Sequence, residues 1–344
     1  MKYILLLILP FLVYGCIESY DFEVSDVERI IIVDAELSDT LSIQQIKLSY
    51  QNKLDDQQFN GVANAKVYVE DNQGNEFQFI EISTGVYEAF FGADRDKTYR
   101  LMIEVDKGGK IMSDFEGLPP PVEIDSLVFE ELRESFVNED GKNKTINVVK
   151  AYGVASISGN EEDLFIRFGN IETVFLFGER PTVTFPPPKT CYVYNKDVVP
   201  EIGVFEVKVA SKGVEIKSLL FTKPINWEFG TVFSVKANLI SMNRTYYEYW
   251  KEIEEVYTQD GNINNPPPAR IGTNLTVENR PPVVGFFAMT STSSELVFIR
   301  KTDLTTSILL TCGSLGGPFP FPYPDECNNC LLIEGSTTIR PDYW

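Results

Sequence analysis

Between Ile30 and Ile111 the chain runs in short stretches of alternating apolar and polar residues, each closed by turn residues, and such a pattern folds into antiparallel β-structure. Ile30-Ile31-Ile32-Val33 reads as a buried strand. Lys66-Val67-Tyr68-Val69-Glu70 alternates, Asp71-Asn72-Gln73-Gly74 is turn chemistry, and Phe77 and Phe79 continue on the far side. Gly85-Val86-Tyr87 starts the next strand. Tyr99, Leu101, Ile103 and Val105 alternate with Arg100, Met102 and Glu104, and Asp106-Lys107-Gly108-Gly109 turns the chain into Ile111. Ile46, Leu48 and Tyr50 fall out of phase with Leu41 and Ile43, which predicts a bulge at Gln44-Gln45. Strands this short and this regularly spaced predict an immunoglobulin-like β-sandwich over 27–118.

Leu118-Pro119-Pro120-Pro121 cannot continue a central strand, so 119–123 is read as a linker. From 124 to 344 a larger β-rich domain is expected. Its predicted strands are Ile124 to Val137 and Ile146 to Ile157 around an Asp140-Gly141 hairpin, then Leu164 to Phe168, Val174 to Phe177, Val204 to Val209, Val232 to Leu239, Val283 to Thr290, Glu295 to Ile299 and Ser307 to Leu310. One amphipathic helix is predicted over 241–259. Met242, Tyr246, Trp250, Ile253 and Tyr257 form its apolar stripe, Ser241 its N-cap, and Asp260-Gly261 its stop. The stripe is expected to pack on the second domain's sheet.

Ahead of the first strand, Lys2 and the apolar run from Tyr3 to Tyr14, too short to span a bilayer, lead through Gly15 to Cys16. This is the layout of a lipoprotein signal peptide over 1–15, with Cys16 as the lipidated residue and 16–26, carrying Glu18, Asp21, Glu23 and Asp26, as a tether to the membrane. Assigning Cys16 to lipid leaves Cys191, Cys312, Cys327 and Cys330, an even set that in an exported chain predicts two disulfides with the pairing left open. A zinc site at Cys327-Asn328-Asn329-Cys330 is the weaker reading, because Cys191 and Cys312 are not spaced as a second knuckle; neither metal nor cofactor is expected. Between Cys312 and Cys327 proline alternates with aromatics, so Phe319, Phe321 and Tyr323 are either a binding ribbon or part of a sewn-down strap.

Histidine is absent. That excludes Ser/His/Asp and Cys/His catalysis and HExxH zinc chemistry. A net charge of −20 disfavours nucleic acid as a partner. Carboxylate pairs remain, but no pair stands out among 50 acidic residues.

Several segments carry a family likeness: Gly61-Val62-Ala63-Asn64-Ala65-Lys66-Val67-Tyr68-Val69 with Gly85-Val86-Tyr87, Pro119-Pro120-Pro121-Val122-Glu123-Ile124-Asp125-Ser126, Gly272-Thr273-Asn274, Val284-Gly285-Phe286-Phe287, and the ending from Cys327-Asn328-Asn329-Cys330 to Arg340-Pro341-Asp342-Tyr343-Trp344. Together, from Cys16 to the end of the chain, they resemble Bacteroidota outer-membrane lipoproteins of unknown function (DUF4249-like), often encoded beside TonB-dependent receptors. The resemblance implies an envelope lipoprotein with an N-terminal sandwich and a β-rich second domain, and it brings no catalytic residues. The expected function is a non-enzymatic, surface-exposed outer-membrane lipoprotein, accessory to a TonB-dependent receptor or other outer-membrane β-barrel in nutrient capture. An adhesive or structural surface protein is the alternative. A carboxylate-based glycan hydrolase is the third reading, and it needs two facing carboxylates in a cleft.

Overall fold

The computed structural model describes residues 30–52, 58–105, 109–137, 140–157, 162–180, 187–209, 213–258, 271–278, 282–309, 312 and 323–344. Cys16, the tether, Phe319 and Phe321 lie outside the described residues, as does the predicted Asp260-Gly261 helix stop. The protein is mainly β, with eighteen strands and one α-helix among the described residues.

The first region holds β1 (Ile31–Ser38), β2 (Ser42–Tyr50), β3 (Lys66–Asp71), β4 (Glu76–Ser83), β5 (Val86–Phe91), β6 (Thr98–Val105), β7 (Gly109–Ser113) and β8 (Glu116–Gly117). The order β7-β6-β3-β4-β5-β2-β1 wraps round one core in which Val33, Leu48, Val67, Tyr87, Phe91 and Leu101 are buried. The 71–75 turn forms because the fully buried Asp71 carboxylate accepts the backbone N–H groups of Gln73 (2.9 Å) and Asn75 (2.8 Å) and pairs with Lys97 Nζ at 2.8 Å. No bulge occurs at Gln44-Gln45. Gln44 itself takes the inward position in phase with Ile46 and Leu48, its amide donating to Thr40 O at 2.8 Å, while Leu41 and Ile43 face outward.

The second region continues with β9 (Ser126–Val137), β10 (Asn143–Ile157), β11 (Leu164–Gly178), β12 (Thr190–Tyr194), β13 (Val204–Val207), β14 (Val214–Pro224) and β15 (Val232–Met242). Helix α1 (Arg244–Tyr257), β16 (Leu275–Glu278), β17 (Val283–Arg300) and β18 (Ser336–Thr337) complete the chain. The sheet β14-β10-β9 packs against β15-β11-β12, and Ala151, Ala155, Leu220, Phe168, Phe175 and Phe233 fill the space between. Two disulfides, Cys191–Cys330 and Cys312–Cys327, hold the C-terminal segment on this core. They answer the even cysteine count, with the expected two bridges rather than a zinc site.

The first core is completed from far along the chain. Residues 283–290 of β17 run parallel to β1, and β16 pairs with β7, so Leu275, Val283, Phe287 and Met289 are buried in the first core. The sequence had placed these residues in a domain of 124–344. Beyond Thr290 the same strand turns antiparallel to β15, so β17 belongs to both sandwiches. Gly285, at φ +103°, lies so close to β1 that a Cβ would stand 1.9 Å from the Val33 carbonyl oxygen. The proline segment falls where expected but is clasped. Ser291 Oγ donates to Pro119 O at 2.9 Å and Ser241 Oγ to Pro120 O at 2.6 Å.

That bond also corrects the predicted helix start. Ser241 and Met242 end β15, and Asn243 is the N-cap. Leu164–Phe168 and Val174–Phe177 are one strand, interrupted by an irregularity between Gly169 and Glu172. Glu295–Ile299 is the end of β17 rather than a separate strand. Ser307–Leu309 forms no strand. The preceding backbone N–H groups of Thr305 (2.5 Å) and Thr306 (2.9 Å) bond to the Glu131 carboxylate instead of a ladder, and Leu310 lies outside the described residues. Strands β12, β14 and β16 and the two-residue β8 and β18 were not predicted.

Candidate functional site

Strand β1 buries Ile31, Val33, Ala35 and Leu37, so its alternate residues Asp34 and Glu36 project from the other face. Strand β11 does the same. Ile166 and Phe168 enter the second core, which turns Phe165 and Arg167 away from it. Helix α1 lies across both surfaces. Tyr246 and Tyr249 pack on Phe286 with ring centroids 5.1 and 5.0 Å apart, and Tyr247 packs on Phe165 at 4.9 Å. The stripe expected to pack on the second domain's sheet thus rests on both sandwiches; Met242 belongs to β15 and Tyr257 is exposed.

Where these three elements meet, a cleft of about 580 Å³ opens between the two sandwiches. Its floor carries Asp34 and Glu36 from β1 with Gln45 and Lys47 from β2. One wall is β11 at Arg167, Gly169 and Asn170, and residues 199–203 and helix α1 complete the rim. Junctions of this kind, apolar with a few convergent polar groups, are common ligand sites.

The polar centre is a network. Glu36 accepts a hydrogen bond from Tyr246 Oη at 2.7 Å and pairs with Arg167 Nη2. The Arg167 guanidinium sits 4.2 Å from the ring centre of Trp250. Burial opposes the Arg167 charge, but Glu36 and Tyr246 outweigh it and raise the guanidinium above its ordinary range. Burial, with Glu36 beside it, pushes the Tyr246 hydroxyl well above the usual tyrosine value. Asp34 is also raised, chiefly by its low-dielectric surroundings and against the pull of Lys47, its cross-strand neighbour. It nevertheless keeps its carboxylate open to the cleft. The β11 irregularity falls on the cleft wall, with Asn170 at φ +48°, a local re-aiming of the strand of the sort found beside binding sites.

None of the described site residues expected from the sequence lines this cleft. Cys191, Cys312, Cys327 and Cys330 are all in disulfides on the far core. Tyr323 packs on that same core, with Arg180 over its ring at 5.2 Å, which favours the strap reading at this residue. Sequence reasoning missed Asp34, Glu36 and Arg167. The signal was present as two acids alternating with buried positions in Val33-Asp34-Ala35-Glu36-Leu37, and a lone cation inside Leu164-Phe165-Ile166-Arg167-Phe168. Among the described residues no cluster of acids or cysteines could hold a metal ion, and no helix is long and apolar enough to cross a membrane.

A second exposed feature lies on the outer face of the first sandwich. Ile43 and Phe90 sit opposite each other on β2 and β5, with Ile80 and Ile82 on the adjoining β4, and all four are exposed.

The family model described as "Domain of unknown function (DUF4249)" matches residues 17–295, and the chain belongs to that family. The match covers β1 and most of β17, hence the whole cleft, and stops before the disulfide-bonded ending that the sequence reading had included in the likeness. No curated protein and no solved structure matches the chain.

Proposed function

We propose that this member of the DUF4249 family is a non-enzymatic lipoprotein, anchored through Cys16 and exposed on the outer membrane, that captures a small ligand in the cleft and hands it to a TonB-dependent transporter. The observation that carries the reading is the cleft, a polar network framed by aromatics at the junction of two sandwiches. Its half-buried carboxylate, Glu36, is engaged by Tyr246 and Arg167, an arrangement suited to holding a fixed shape rather than to moving a proton. The leader ending at Cys16 supports the anchor. Ile43, Ile80, Ile82 and Phe90, four exposed apolar side chains on neighbouring strands, support contact with a partner protein.

Cys16→Ala is expected to release the protein from the membrane fraction; retention there overturns the anchor. A gentle detergent pull-down of the anchored protein is expected to bring a β-barrel receptor in stoichiometric amount. A partner-free eluate, stable to mild cross-linking, overturns the transport role in favour of an adhesive or structural one.

A further inference from the structure

We infer that the cleft takes an uncharged, polyhydroxylated ligand, a sugar with one apolar face; this names the cargo of the capture reading above and rests on it. The argument begins with an unmet donor. Arg167 is 8% exposed, and its guanidinium is held by Glu36 and Tyr246. A guanidinium carries several N–H donors and no acceptor. Its Nε has no partner. The Nη1 end lies over Gly169, where a Cβ would stand 2.2 Å from it, so the glycine is what leaves room for the group at the wall of the cleft. A buried donor left open in this way calls for an acceptor oxygen.

The charge of the walls then selects among acceptors. Asp34, Glu36 and Glu201 line the cleft against Lys47 and Arg167, so an entering anion meets an excess of negative charge. A cation is not repelled by these walls, but an ammonium brings only donors and so leaves the Arg167 Nε without an acceptor. A hydroxyl does both. It can accept from the Arg167 side and donate to Asp34, whose carboxylate is open to the cleft. Trp250 and Tyr257 supply aromatic surface for the C–H face of a ring.

The test uses the disulfide-bonded full chain, titrated by calorimetry and tryptophan fluorescence. The neutral probes are maltotriose, cellotriose and mannotriose, the anion is glucuronate and the cation is glucosamine. At least one neutral sugar is expected to saturate. Asp34→Asn, at an exposed position that folding tolerates, weakens it by about tenfold or more, and Trp250→Phe removes the fluorescence change. Saturation by a charged probe alone overturns the ligand class and leaves capture standing. A neutral sugar bound equally by wild type and Asp34→Asn overturns the assignment to this cleft. Absence of saturation by any probe up to about 10 mM overturns the ligand class; if the receptor pull-down is also empty, the capture reading falls with it.

Discussion

In the first sandwich, Phe91 packs edge to face on Phe77 and Tyr99 at 5.1 and 5.5 Å, rings carried by β4, β5 and β6, three strands consecutive in the chain. In the second, the chain ending is tied to the core by Cys191–Cys330 and Cys312–Cys327, and Trp344 is wedged between Tyr192 and Phe298 at 5.2 and 5.3 Å. The contrast teaches where each half is vulnerable. The first is locally built but completed by two distant strands, β16 and β17, so its weak point is a backbone contact. The second collects segments separated by long loops, so its weak point is covalent.

The sharpest way to break this contrast is Gly285→Ala. The Val33 carbonyl is in the way and φ is positive, so a loss of at least about 3 kcal/mol is expected, read from the urea midpoint. A small loss would mean that β1 and β17 part easily. Replacing Cys191 and Cys330 together by serine is expected to cost about 2–5 kcal/mol, because the bridge spans a sequence separation of 139. Removing Cys312–Cys327, which spans 15, should cost less, and equal losses would refute the loop-length account. Tyr87→Phe deletes a hydroxyl that donates to Val62 O at 2.7 Å and accepts from Ala65 N at 3.0 Å, for a loss of about 1–3 kcal/mol.

The smallest effect concerns acid. Burial works against ionisation of Asp71, yet its bonds from Asn75, Lys97 and Gln73 hold its carboxyl below the usual aspartate range. The sign follows from the depressed folded value. This stabilisation is present above the ordinary aspartate pKa of about 4 and is lost as pH falls below it. The melting temperature of wild type should therefore fall between about pH 4 and 2 more steeply than that of Asp71→Asn.

How much of this was legible follows from the range of each interaction. Strands β3 and β6 were readable because alternation and a turn suffice. The family-like segments acquire reasons in the fold. Gly61 and Gly85 face each other so closely that a Cβ on Gly85 would meet the Gly61 Cα at 2.5 Å, and Tyr87 ties the 62–65 backbone above them. Asn274 imitates a strand neighbour, its amide donating to Phe287 O at 2.7 Å and accepting from Phe287 N at 3.0 Å. Gln44 misled because an amide can take a core position once its donors are met nearby. Asp34, Glu36 and Arg167 were not assembled in advance because β1 and β11 are far apart in the chain and are separated in the sheet by β17 and β15. A pattern within one strand says which face a residue takes and nothing about what that face will meet.

The parallel pairing of β1 with β17 also sets an order of events. Thr290 Oγ1 donates to Leu37 O at 3.1 Å across a sequence separation of 253. A chain synthesised from its N-terminus exposes one edge of β1 for nearly its whole length before its partner exists. Contacts of such separation slow folding, and an unpaired edge invites pairing with other chains. The first sandwich, though nearest the start, is thus finished only after most of the second has been made, and it needs protection from aggregation until then.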